Sequence, residues 1–114
     1  MEIKLKRAEE IYVIEIHGEM DMYNASQLKT VFNKMLEKNI NKILVDFLNC
    51  EYIDSTGVGT LLGLFASAKE KKLSFFLTNV TGTVLKVLTL TKLHEYLPLE
   101  QNIESAIQRI RKGN

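Results

Sequence analysis

The 114-residue sequence holds one cysteine, one proline and no tryptophan. Cys50 alone cannot close an internal disulfide or assemble a cysteine-rich zinc site, which points to a reducing compartment, expected to be the cytoplasm. Pro98 is the only proline and no segment repeats or loses complexity, so residues 1–114 are expected to form a single domain without a linker. No apolar run reaches the ~20 residues that cross a bilayer. Met1–Arg7 alternates charge with hydrophobe instead of forming a signal-peptide core. Charge of one sign is also missing. Fifteen Lys and Arg against fourteen Asp and Glu give a net charge of +1, neither a footprint for nucleic-acid phosphates nor an acidic solvating tail. His17 and His94 lie far apart without a carboxylate pattern around them, so no metal and no cofactor are expected.

What is present is the material for one core. Hydrophobic residues make up 46% and charged residues 25%, the balance of a folded soluble domain. Ile3 and Leu5, then Tyr12, Ile14 and Ile16, alternate around a polar Arg7–Glu10 turn, which predicts an antiparallel hairpin closed by Gly18. Ala25, Leu28, Val31, Phe32, Met35 and Leu36 recur at helical spacing, with Asn24 and Gln27 matching a capping box. A strand over 42–47 and a helix from Ser55 or Thr56 follow; the helix has an apolar stripe of Val58, Leu61, Leu62, Phe65 and Ala68. Next come a strand over 73–78, a helix from Thr81 to about Leu93, a short extended piece near Pro98 and a last helix from Asn102. This order predicts an α/β fold: a mixed sheet with an N-terminal antiparallel hairpin followed by β-α units. Glu15, His17, Asp46 and Ser74 interrupt one face of their strands, so the helices are expected mostly on one face, with the other partly open.

The chemistry concentrates in Asp54-Ser55-Thr56-Gly57-Val58-Gly59-Thr60. Its hydroxyls lie where a helix begins, and there unpaired N–H groups and the helix dipole favour negative charge. Ser55 is well placed to cap the helix, which is the commonest role of a serine there. A dinucleotide fingerprint fails because the third glycine, Gly63, comes one position late and Asn79 stands where an acid is wanted. An aspartic-protease loop has one hydroxyl residue between Asp and Gly, and here there are two. A receiver domain could nominate Asp46 or Asp54 as phosphoacceptor, but receivers have a different element order, with a magnesium-holding acidic pair after the first strand, whereas Glu9-Glu10 precede a strand in a hairpin turn. Gly59, Gly63 and Ser67 form a small-residue strip on the helix. Close packing against a neighbouring element explains it best, and a docking strip is the alternative. Met20, Met22 and Tyr23 suit either an apolar lip around Asp21 or core filling. Cys50 has no cationic neighbour and is read as a buried small hydrophobe.

Two segments then carry a resemblance. Gly18-Glu19-Met20-Asp21, and Tyr52-Ile53-Asp54-Ser55-Thr56-Gly57-Val58-Gly59 after a helix and a strand, resemble the anti-sigma factor antagonists of the STAS family. Their pattern is a "GELD"-like segment followed by a "DSSG/DSTG" segment opening the second helix. Met20 and Val58 replace the usual leucines, swaps that preserve apolar volume. The resemblance implies a protein with no catalytic activity of its own. Its partner is an anti-sigma factor that is also an ATP-dependent serine kinase, and a PP2C-type serine phosphatase resets the modification. Ser55 takes the place of the phosphoacceptor, and Asp21 is expected close to it. The partner-binding face is expected to comprise Asp21, Met22, Tyr23 and Asn24 together with Asp54, Thr56, Gly57, Val58 and Gly59. A STAS-type module of another signalling or transporter complex is the nearest alternative.

Overall fold

Three strands of seven, ten and twelve residues build most of the sheet. The computed structural model describes residues 1–113. It runs β1 (Glu2–Ala8), β2 (Ile11–Met20), α1 (Ala25–Glu37), β3 (Lys42–Ile53), α2 (Ser55–Glu70), β4 (Ser74–Thr78), α3 (Gly82–Leu90), a 3-10 turn (Leu93–Glu95), β5 (Leu99–Glu100) and α4 (Ile103–Arg111). The strands lie in sequence order across one sheet. β1 is antiparallel to β2, and every later pairing is parallel, as helical crossovers require. The mixed sheet with an N-terminal hairpin is therefore present.

β2, β3 and β4 each contribute to two cores. Ile14, Ile16, Ile43, Val45, Phe75 and Leu77 point to the face covered by α1, α2 and α3, whose Leu28, Phe32, Leu61, Leu64, Val84 and Leu88 complete the larger core. Phe32 meets Phe75 edge-on at 5.7 Å between ring centroids. Ile11, Val13, Leu44 and Phe76 point the other way, where Ala106 and Ile110 of α4 cover them. α4 opens with a full capping box: the Asn102 side chain accepts from the Ser105 N–H at 2.8 Å, and Ser105 answers the Asn102 N–H. Three helices on one face and one on the other match the expectation, and α4 closes half of the face expected open.

Several boundaries differ from the sequence reading. β3 does not end at Phe47 but continues to Ile53, and β2 continues through Gly18 to Met20. Two register shifts, between Glu15 and His17 and between Gly18 and Glu19, break the alternation that would have betrayed the extension. Gly18 stands at φ +90° inside the strand, not at its end. β4 begins at Ser74, and α3 spans only Gly82–Leu90 before the chain tightens into the 3-10 turn. On α2, Leu64 is buried while Leu62 and Phe65 are half-buried.

The part of the second face that α4 leaves free is polar. Glu15, itself buried, receives Lys6 at 2.8 Å and His17 at 3.0 Å. Asp46 accepts from the Thr78 hydroxyl at 2.8 Å and the Asn79 amide at 2.7 Å. The hydrogen bonds from Lys6 and then His17 hold the Glu15 carboxyl below its ordinary range. A carboxyl lowered on folding stabilises the native state above its unfolded value, 4.5, and that contribution disappears as pH falls through the folded value. Glu15→Gln is expected to cost about 1 kcal/mol at neutral pH, because Lys6 is solvated. Chemical denaturation at decreasing pH is expected to show the difference from the parent vanishing once Glu15 is protonated.

Candidate functional site

Parallel strands β2 and β3 finish side by side, with Met20 opposite Ile53. The segments that leave them, Asp21–Asn24 and Asp54–Gly57, therefore meet at the carboxyl ends of the parallel strands, where open α/β sheets commonly place their sites. Asp54 ties the two together. Its N–H donates to the Met20 carbonyl at 3.1 Å. One carboxylate oxygen accepts from the Gly57 N–H and the other from the Met22 N–H, both at 2.9 Å.

Asp54 is the N-cap of α2, with extended backbone at φ −99° and ψ −176°. The sequence reading gave that capping role to Ser55; the structure gives it to Asp54, because Ser55 is already the first helical residue. Its hydroxyl is thereby released from capping, and Ser55 is exposed. A helix start leaves four N–H groups without intrahelical partners. Here Asp54 N–H goes to Met20 and Gly57 N–H goes to the Asp54 carboxylate, which leaves those of Ser55 and Thr56 for an external acceptor.

The companion segment is fastened locally. The Asp21 N–H donates to the Asn24 side-chain oxygen, and an Asp21 carboxylate oxygen accepts from the Tyr23 N–H, each at 2.9 Å. The Asp21 carbonyl accepts from Asn24 and Ala25. Asn24 precedes α1 as expected, yet the capping box with Gln27 is not formed. Its amide spends its oxygen on Asp21 and its NH2 on the Glu19 carbonyl, leaving neither for the helix. Met20 is fully buried, whereas Met22 and Tyr23 stand in solvent, so the three residues divide between core and lip.

Gly57 is required by space. A Cβ there would lie 2.6 Å from the Ile53 side chain and 3.1 Å from the Met20 carbonyl. Its absence lets α2 approach the ends of β2 and β3 closely enough for Asp54 to reach both amides. Val58 is buried under the same contact, while Thr56 and Gly59 are exposed and Thr60 donates to the Thr56 carbonyl at 3.0 Å. Gly59 and Gly63 have open space where a Cβ would be, so the close packing expected for the small-residue strip is not present. The strip instead borders a cavity of about 550 Å³ between α1 and α2, floored by Phe32 and Leu64.

Cys50 is buried, and burial pushes its thiol above the ordinary value, away from thiolate chemistry. Among the described residues no group of three His, Cys, Asp or Glu side chains could hold a metal ion, and no helix is long and apolar enough to cross a membrane.

Sequence reading placed Asp54 beside Ser55 and in the partner-binding face, not as the residue that joins the two segments. Its bond to Met22 spans 32 positions and depends on the β2–β3 register, which no local pattern reveals. Asp54→Ala removes both acceptors and is expected to cost about 1–3 kcal/mol. Asp54→Asn keeps one acceptor oxygen and is expected to recover part of that loss. Thermal denaturation of the two variants beside the parent checks the order.

Comparison with known proteins places the fold. The anti-sigma-B factor antagonist of Staphylococcus aureus is 22% identical over 104 residues, which cover 91% of this chain and 96% of that one. The structure of the anti-sigma factor antagonist SpoIIAA in its unphosphorylated form superposes with a TM-score of 0.74 at 24% identity, over 96% of this chain and 98% of that one. SpoIIAA from Bacillus in its phosphorylated form gives 0.73 at 24% identity, over 96% and 99%. A sulfate transporter family protein from Wolinella succinogenes has the same fold, with a TM-score of 0.77 at 20% identity, over 91% and 87%. Residues 2–106 match the STAS domain itself, and the chain belongs to that family.

Proposed function

We propose that this chain is a cytoplasmic anti-sigma factor antagonist with no catalytic activity of its own. It binds an anti-sigma factor that is also an ATP-dependent serine kinase, through Asp21–Asn24 and the first turns of α2. Phosphorylation of Ser55 by that partner releases it, and a PP2C-type serine phosphatase restores the binding form. The observation that carries this reading is the exposed Ser55 hydroxyl at the first position of α2, beside two N–H groups without helical partners. The names of the Staphylococcus aureus relative and of SpoIIAA support the antagonist role. SpoIIAA has this fold in both its phosphorylated and unphosphorylated forms, which supports a switch that needs no refolding.

Electrostatics is sufficient for such a switch. A phosphate on Ser55 adds about −1.5 to −2 charge next to Asp54 and on the face that also carries Asp21. In the free protein the start of α2 offsets about 0.3–2 kcal/mol of the resulting repulsion. An acidic or apolar partner surface offers no such compensation, and like charges brought together across an interface cost several kcal/mol. A net penalty of about 3–4 kcal/mol weakens binding by two to three decades.

Incubation with the anti-sigma factor kinase and ATP, followed by mass-spectrometric mapping, is expected to place one phosphate on Ser55. Modification elsewhere with Ser55 untouched contradicts the site. Ser55→Ala is expected to fold and to bind the partner in the presence of ATP without release. Ser55→Asp should weaken binding less than phosphate does, having less charge and fewer acceptor oxygens. A folded Ser55→Ala protein that fails to bind would show that the hydroxyl itself makes the contact.

A further inference from the structure

On the apolar face of the hairpin, Ile14 and Ile16 are buried and Ile3 and Tyr12 pack against the core, but Leu5 is left uncovered. Leu5 shares that face with Ile14, its partner across the hairpin, yet is 58% exposed. Together with Tyr12, Val31, Met35 and Ile40 it lines a recess of about 280 Å³ between the hairpin and α1. Lys34 and Lys38, one helical turn apart, stand at the same recess. A third cation, Arg7, lies with its guanidinium 5.0 Å from the centre of the Tyr12 ring. Among the described residues no carboxylate lines the recess. The two acids of the adjoining turn are occupied elsewhere, Glu9 by Arg111 and Glu10 by Lys42. Neither Lys34 nor Lys38 has a carboxylate partner among the described residues. The dipole of α1 accounts for a cation in its last turn, but not for an uncovered apolar wall beside two of them.

We propose that this recess binds a free single-chain carboxylate amphiphile, a fatty acid of medium length. Its chain lies on Leu5, Val31, Met35 and Ile40, and its carboxylate lies between the Lys34 and Lys38 ammonium groups. The volume is just under the range of about 300–1,000 Å³ that takes a drug-sized ligand, which suits one narrow chain. The walls are apolar and, among the described residues, the charges that line them, Lys34 and Lys38, are positive, so the complement is an apolar body with an anionic end. A recess between two elements admits a single chain more readily than it lies flat on a bilayer.

The test is a titration of the isotopically labelled full chain with sodium decanoate below its micelle concentration, followed by amide chemical shifts. Saturable shifts are expected at Leu5, Tyr12, Val31 and Ile40, with decyltrimethylammonium binding at least about tenfold more weakly because its head repels the lysines. Lys34→Glu combined with Lys38→Glu changes two exposed side chains, leaves the fold intact and is expected to reverse that order. Equal responses to the two head groups, an order unchanged in the double variant, shifts confined to the α1–α2 cavity, or no saturation each overturn the proposal. So does co-sedimentation with anionic phospholipid vesicles without any response to decanoate, which would assign the patch to a membrane surface.

Discussion

One carboxylate holds the candidate site together. Asp54 accepts from the first turn of its own helix and from the Met22 amide of a loop that the sequence places far away. Each bond alone is a modest contribution, but together they hold the Met22 loop against the first turn of α2. Charge-assisted acceptance from backbone N–H groups is among the stronger hydrogen bonds available to a protein. The arrangement also explains why Ser55 is free: a serine needed as the cap could not present its oxygen to solvent.

That carboxylate acts only because the backbone allows it to. β2 and β3 run parallel and end opposite each other, and Gly57 removes the side chain that would separate α2 from those ends. The requirement at Gly57 is spatial, whereas Gly59 and Gly63 face open space on the same helix. A mid-helix glycine costs about 1 kcal/mol relative to alanine, and here no contact among the described residues explains Gly59 or Gly63.

Much of this was legible beforehand. The helical stripes of α1 and α4, the alternation of the hairpin and the segment of small and hydroxyl residues at Asp54–Gly59 all follow from spacing and residue type. Three things were not. The bulges in β2 shift which residues face which side, so the full lengths of β2 and β3 were hidden beyond Gly18 and Phe47. Asn24 has the right identity for a cap but a better use for its amide, and identity alone does not reveal competing partners. α4 covers Val13 and Phe76 across the sheet, a long-range contact that a polar-interrupted strand face disguised.

The dependence on Asp54 is open to direct measurement by amide hydrogen exchange. Met22 is 64% exposed, and an amide at such a position exchanges near its free rate unless it is hydrogen-bonded. The account predicts a Met22 amide well protected in the parent protein, together with that of Gly57, and both protections lost in Asp54→Ala while the core of the sheet stays slow. Free exchange at Met22 in the parent would contradict it.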